Sequence, residues 1–504
     1  MRSLAPRNAI AYLEINDLSV ALNALTDTKV FQENSINKPD FSALENVQAA
    51  VAITGFETLE KQITDENSVI NFKPKFVAIA DTHAWKPTAV SIVENQIGKF
   101  VKGNYGDDVK LEKSEKRDAK FFVWTSREGS KLFAAVSNSL IYVGNDEVLL
   151  DECLAVNRGE KESLLENENL TQARGNVYGE NLLAYGYVLP EGIKQFADIV
   201  GVSVALKASE SDEGKGLIAQ VLPKILQNTT KEIVWTARKA ENKIEDDFFV
   251  SLNDDAASIF KETLKPSAQD SIDAAEFLPS DVFGATNYNL QNPLIAWRSL
   301  LLVTAKNTDA FSGKSLIQFS DSLLEPYGIS KAEMFLSAIE SEIFTAQFDA
   351  EGENSVAVVT VKDFEKIKKS MAEINFKSPS EKQENVEIWK SEDEELLAAF
   401  VENKLILGDA ESVMKCLKAK QSGQNFTKNH NFQKFGFSKS TALTFGKDSD
   451  SVEKIITVLG KTKGKNQKIW TDYIIETRFT AQGIERKTIS DFGFLGTILE
   501  QLGE

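Results

Sequence analysis

The stretch from Phe121 to Leu154 recurs, altered, from Val386 to Leu417, and nothing else in the chain constrains its fold so strongly. At a constant offset Trp124 falls on Trp389, Ser126 on Ser391, Leu132 on Leu397 and Ala134 on Ala399. Val136, Asn138, Leu140 and Ile141 fall on Val401, Asn403, Leu405 and Ile406, and after one deletion Gly144 meets Gly408. Within each stretch three apolar runs are joined by very short polar turns. In the first, Phe121–Thr125 turns at Arg127–Gly129 into Leu132–Val136, and Ser137-Asn138 leads into Leu140–Val143. Joins that short allow only an antiparallel meander. Asn145 or Asp146 is then placed to cap a helix over Glu147–Val156.

A repeat of about half the chain length signals a tandem duplication, not a solenoid. Both copies open alike. Leu4-Ala5-Pro6 leads into a strand at Ala9–Ile15, and Phe277-Leu278-Pro279 leads into VFGATNY. Spacing in the first copy predicts a helix over Leu18–Phe31 behind Asp17, a helix near Phe41–Val47, strands at Ala49–Phe56 and Phe76–Ala80, and a helix over Lys86–Val101. After the repeat come a strand at Leu182–Val188, a helix from Pro190 to Val200, and two hairpins. These pair Val202–Ala208 with Gly216–Leu222 and Ile233–Lys239 with Ile244–Leu252, and a helix over Asp254–Leu264 follows.

The second copy reads as helices at Pro293–Ala305, Ser315–Leu324 and Lys331–Ile339, strands at Glu342–Phe348 and Ser355–Val361, and a helix at Asp363–Ile374. Beyond its repeat lie a strand at Leu443–Gly446, a helix at Ser451–Leu459, and a hairpin of Tyr473–Thr480 with Ile484–Ser490. Strands and helices that mix without βαβ alternation define an α+β class. The expected architecture is two related domains, residues 1–265 and 277–504 around a polar linker at 266–276, each a mainly antiparallel sheet covered by helices.

The charge balance narrows the partners. With 75 acids against 57 bases the net charge is −18, which disfavours nucleic acid, whose binding needs basic stripes to displace counterions. No apolar run reaches the ~18 residues of a membrane span. Cys153 and Cys416 hold nearly corresponding places near the end of the repeat helix and lack any CxxC spacing, so they read as small core residues.

Catalytic constellations are sparse. The two histidines, His83 and His430, occupy unrelated places, and no HExxH, GxSxG or GxxxxGK[ST] is present. Gly214-Lys215-Gly216-Leu217-Ile218-Ala219 matches GxGxxA, but acidic SESDE separates it from the preceding apolar run, so it reads as a hairpin tip. Ser391–Glu395 and Asp448-Ser449-Asp450 carry enough oxygen for calcium yet complete no EF-hand loop. The basic run Lys461, Lys463, Lys465, Lys468 reads as a solvated loop. No catalytic, cofactor or metal residue is assigned. Trp124 and Trp389 remain as candidate apolar-groove residues, because they hold one position in both copies; their plainer role is core packing under a helix.

The opening LAPRNAIAYLEINDL and the later LKASESDEGKGLIAQVL resemble an uncharacterised bacterial family, a domain of unknown function found in extracytoplasmic and membrane-anchored proteins. The resemblance implies a non-catalytic envelope protein whose precursor carries a signal or anchor segment upstream. The expected function is therefore a non-enzymatic binding or structural protein at the periplasm or cell surface, with an unknown protein or an apolar ligand as partner. Two alternatives stay open: a carrier of lipid between sheet and helices, and a hydrolase using unrecognised carboxylates. A cytoplasmic location is the alternative to export.

Overall fold

In the computed structural model the first repeated stretch forms three antiparallel strands and a helix, as its turns require. All residues are described except 63–67, 178, 180, 209–211, 269–271, 372–375, 384–385, 392–394, 430–438, 464–467 and 504. His430 and the heart of the acidic tip at 392–394 lie outside them. The molecule is α+β with extensive antiparallel pairing. Its residues group into two units that interleave along the chain. One holds Met1–Val250, Ser449–Ile469 and Ile489–Glu504; the other holds Ser251–Asp448 and Trp470–Thr488. Likeness of sequence and grouping by contact are separate properties, and the ranges 1–265 and 277–504 describe only the former.

The first unit contains strands β1 (Ala11–Ile15), β2 (Gln48–Gln62), β3 (Ser68–Asp81), β4 (Lys110–Lys116), β5 (Ala119–Thr125), β6 (Lys131–Ser137), β7 (Leu140–Gly144), β8 (Leu182–Val188), β9 (Thr230–Ala240) and β10 (Lys243–Leu252). They pair in the order β4-β5-β6-β7-β3-β2-β1-β8-β9-β10. Its helices begin with α1 (Leu18–Thr26), α2 (Lys29–Asn34), α3 (Lys86–Ile92) and α4 (Gly98–Tyr105). They continue with α5 (Glu147–Asn157), α6 (Glu168–Val177), α7 (Pro190–Ala208) and α8 (Asp212–Thr229). In the second unit lie α9 (Asp254–Thr263), β11 (Gly284–Asn289), α10 (Pro293–Lys306), α11 (Ala310–Gln318), α12 (Ala332–Ser337), β12 (Ile339–Gln347), β13 (Ser355–Val361) and α13 (Phe364–Met371). These are followed by β14 (Phe376–Gln383), β15 (Val386–Ser391), β16 (Leu396–Val401), β17 (Lys404–Asp409), α14 (Ala410–Ser422), β18 (Ala442–Asp448), β19 (Thr471–Phe479) and β20 (Gly483–Ser490). Their order, β14-β15-β16-β17-β13-β12-β11-β18-β19-β20, repeats that of the first unit strand for strand. The last two helices, α15 (Asp450–Leu459) and α16 (Gly493–Gly503), pack in the first unit.

Alternating side chains bury both faces of each sheet. In the first unit Phe121, Phe133, Ala135 and Tyr142 meet Leu150, Cys153 and Leu154 of α5. Phe122, Trp124, Leu132 and Ala134 point the other way, onto Ala89, Val93 and Val101 of the α3–α4 segment. In the second, Ile388, Leu397, Ala399 and Ile406 meet Val413 and Cys416 of α14. Opposite them, Trp389, Ala398, Phe400 and Leu405 meet Phe335, Ile367 and Met371. The meander thus carries helices on both faces, where one covering helix was expected.

This packing corrects the alignment. Strand pairing sets Phe133 against Gly144 and Leu397 against Gly408, so Phe133, not Leu132, stands where Leu397 does. The same ladders set Phe122 against Ala134 and Trp389 against Ala398, so Trp389 stands where Phe122 does and not where Trp124 does. The β15–β16 connection is three residues shorter than β5–β6, and the difference lies there and not after Ile141. The first turn residues Asn138 and Glu402 share positive φ of 54° and agree with this placement. A slip of one residue in a strand exchanges its faces. The constant offset accordingly set Ala134, facing α3, on Ala399, facing α14.

Other expectations fail as well. The apolar alternation of Val202–Ala208 with Gly216–Leu222 is not a hairpin: the backbone there belongs to α7 and α8. Pro223 sits inside α8 and packs on Gly201, whose Cβ position would lie 2.4 Å from the Pro223 Cγ. GxGxxA consequently falls in α8 and not at a hairpin tip. The predicted helix near Phe41–Val47 is only a 3-10 turn at Ser42–Leu44, and the one ending at Ile339 stops at Ser337. Strand β4 (KLEKSEK), exposed at every position, gave no apolar signal. A 3-10 turn at Asp273–Phe277, which begins within residues 266–276, buries Ala274, Ala275 and Phe277 in the second unit's core.

Candidate binding surface

Between β11 and β12 lie α10, in the place that α1 holds after β1, then α11, two 3-10 turns and α12, and the local chemistry that folds them is legible residue by residue. Asn292 caps α10 by accepting the Ile295 N–H at 3.1 Å, and Pro293 occupies its first turn. Asp309 caps α11, taking the Ser312 N–H at 3.0 Å and the Ser312 hydroxyl at 2.8 Å. The two helices pack closely because Gly313 has no Cβ; one built there would lie 2.5 Å from the Ala305 carbonyl oxygen. Asp321 accepts the Ala332 N–H at 2.8 Å and starts α12. Gly328, at φ +74°, closes the turn Glu325–Tyr327 against the Phe376 ring.

This scaffold turns Ala296, Ser299 and Val303 inward and leaves large apolar groups outside. Leu302 is 61% exposed, Phe311 82%, Phe319 59% and Tyr327 54%. Single exposed apolar residues are ordinary, but a grouped set on consecutive short elements marks a binding face. Arg298 forms a two-pronged bridge to Glu333, at 2.8 and 2.6 Å, and Lys306 pairs with Asp255. Sequence reading placed helices here but overlooked the surface, because it weighed periodicity and not which stripe found a partner.

The groove candidates lie elsewhere. Trp124 is 3% exposed and stacks on Phe122 with centroids 5.9 Å apart; Trp389 is 8% exposed and meets Phe400 edge-on at 5.8 Å. The indole N–H of Trp389 donates to Glu387 at 2.7 Å, and the Lys368 ammonium lies 5.8 Å from its ring centre. Both rings fasten helices to the sheet, in separate cores. His83 is an exposed turn residue at φ 49° near Asp81. Lys463 donates to the Glu33 carbonyl at 2.6 Å at the end of α2, so this member of the basic run is a helix cap. Asp448 ends β18 and Asp450 opens α15.

Buried charges are the groups that sequence alone missed. Lys404 donates to Thr360 Oγ1 at 2.5 Å and lies 3.4 Å from Glu342 Oε2, all three nearly dry. Burial pushes the Glu342 carboxyl above its usual range against the pull of Lys404. Glu14 is buried against Arg174 and accepts the Tyr12 hydroxyl at 2.9 Å. Asp246 accepts the Trp235 indole N–H at 2.8 Å and the Phe494 N–H of α16 at 2.9 Å. Desolvation raises its pKa to about 6 in spite of both bonds. Among the described residues no three His, Cys, Asp or Glu side chains gather as a metal site, and no helix is long and apolar enough to cross a membrane.

No protein-family model and no curated protein matches the chain. One solved structure, titled "Structure of crystal form I of TP0453", aligns over 47% of this chain and all of its own, with 10% identity and a TM-score of 0.26. A likeness that slight carries no argument about fold or function.

Proposed function

We propose that the chain is a non-enzymatic binding protein of the bacterial cell envelope, built from two copies of one α+β domain. Shared devices support the duplication. Leu164 N–H reaches the Ala5 carbonyl at 2.9 Å and Phe426 N–H the Leu278 carbonyl at 2.7 Å, each beside the proline of an L-x-P or F-L-P opening. Asp146 and Asp409 cap the matching helices α5 and α14, and Cys153 and Cys416 follow those caps at equal distance. The binding role rests on one observation: the exposed apolar set on α10, α11 and the turns that follow them. The envelope location rests on the resemblance of the opening residues to extracytoplasmic proteins. Fractionating the native cells and probing each fraction with an antibody against this chain tests it. Recovery with membranes or periplasm is expected, and recovery only in the cytosol sinks the envelope reading.

A further inference from the structure

We infer that the outer face of α10 and α11 docks on the phosphate-bearing surface of a phospholipid bilayer; this rests on the binding-protein reading above. Along α10 the outward positions are Ile295, Arg298, Leu302 and Lys306, which share one helical stripe, and α11 adds Phe311, Lys314 and Ile317. Large apolar side chains alternate there with bases, the pattern of a helix lying in a membrane interface. Within the segment itself bases outnumber acids, unlike in the whole chain, while Glu333 and Asp255 each pair one of them and leave Lys314 as the base outside those pairs. From Asn292 to Ser320 there are three bases and one acid, Asp309, in a protein of net charge −18. That acid is occupied as the cap of α11.

Nearby acids hold the bases in place: Glu333 on α12 faces Arg298, and Asp255 on α9 faces Lys306. These are exposed pairs, weak enough to exchange for lipid phosphate. A second copy of the chain fits less well, because a two-fold contact through this face would set its basic stripe against itself. A small apolar ligand needs a concavity that buries most of its surface, whereas Phe311 is 82% exposed. Helix α11 spans only Ala310–Gln318, so docking is along the surface and not across it.

The test is co-sedimentation with vesicles of phosphatidylcholine, and with vesicles of equal parts phosphatidylcholine and phosphatidylglycerol. The full chain should sediment with both, more strongly with the anionic set. A triple variant L302S/F311S/F319S should lose about tenfold or more on both, by loss of buried apolar area. Lys314→Glu should weaken binding to the anionic vesicles more than to the neutral ones. Trp85→Ser, which alters an 84% exposed tryptophan in the other unit, should bind as wild type. All substituted residues are exposed, so an unchanged circular dichroism spectrum and melting point accompany the loss. The inference is overturned if wild type stays in the supernatant with both vesicles, if the triple variant sediments undiminished, or if light scattering shows the triple variant instead dissolving a self-associated state. A chain found in the envelope that ignores vesicles retains the binding reading and loses the lipid. One found in the cytosol that binds vesicles loses the envelope location and keeps the lipid.

Discussion

Replacing Lys404 by methionine removes the cation from a dry pair and leaves its shape nearly filled. The ammonium stands 3.4 Å from Glu342 Oε2, and at an effective dielectric of about 20 that separation is worth roughly 5 kcal/mol. The loss cannot reach that figure in full, because the stranded carboxyl escapes by taking up a proton. Protonating a carboxyl of ordinary value 4.5 at pH 7.5 costs about 4 kcal/mol, which caps the destabilisation. The sign follows from linkage. With Lys404 gone, the folded-state pKa of Glu342 rises further above its unfolded value, so stability is fully present below pH 4.5 and is lost as pH rises. At pH 5.5 the cap falls to about 1.4 kcal/mol. Native-state hydrogen exchange of the paired β13 and β17 amides, at graded urea, reads this locally without assuming that the chain unfolds in one step. The double variant E342Q/K404M should regain most of the loss. A loss in K404M below about 1 kcal/mol at pH 7.5, or one equal at the two pH values, would refute the reasoning.

Other expectations are as specific. Asp246→Asn should flatten the stability profile between pH 4 and 6: the raised wild-type pKa of about 6 means its contribution is complete below 3.8 and lost as pH climbs through 6, about 3 kcal/mol in all, measurable by urea titration. Asp409 does two jobs, accepting the Ser412 N–H at 2.8 Å and the Ser355 N–H at 2.9 Å. In the first unit Asp146 caps α5 while Asn145 takes the Phe76 N–H at 3.1 Å. Asp409→Ala should therefore cost about 2 kcal/mol, near the sum of D146A and N145A at about 1 kcal/mol each, by chemical denaturation. Burial pushes the Cys153 thiol up to about 12 and raises that of Cys416 as well, so a thiol reagent should label neither until the protein is unfolded in denaturant.

The readable parts of the chain were those whose neighbours lie close in sequence. Turns at Arg127–Gly129 and Ser137-Asn138 specify the meander, and Asp17, Asn253 and Asp409 announce helices by capping them. Elements settled by distant partners were not readable. Val202–Ala208 alternates like a strand, yet α7 and α8 form there and approach closely where Gly201 meets Pro223. Strand β4 has no apolar face and owes its existence to β5. The pairing of Glu342 with Lys404 joins residues 62 positions apart, beyond any local pattern. Trp124 and Trp389 drew attention because their letters match at a constant offset, yet strand pairing sets Trp389 where Phe122 stands, and each ring packs in a core. The surface of α10 and α11 was hidden for the opposite reason, since no repeat singles it out.

The difference in length between the β5–β6 and β15–β16 connections also bears on where the two units could be recombined. A chimera that joins β6 of one half to β17 of the other by matched letters would turn one strand over and expose its core side chains to the wrong helix. A crossover inside the connection itself, between Trp124 and Leu132 on one side and Ser391 and Leu396 on the other, keeps every inward residue inward. The tip is the joint at which the chain tolerates a change of length, and any modular redesign of this protein has to be cut there.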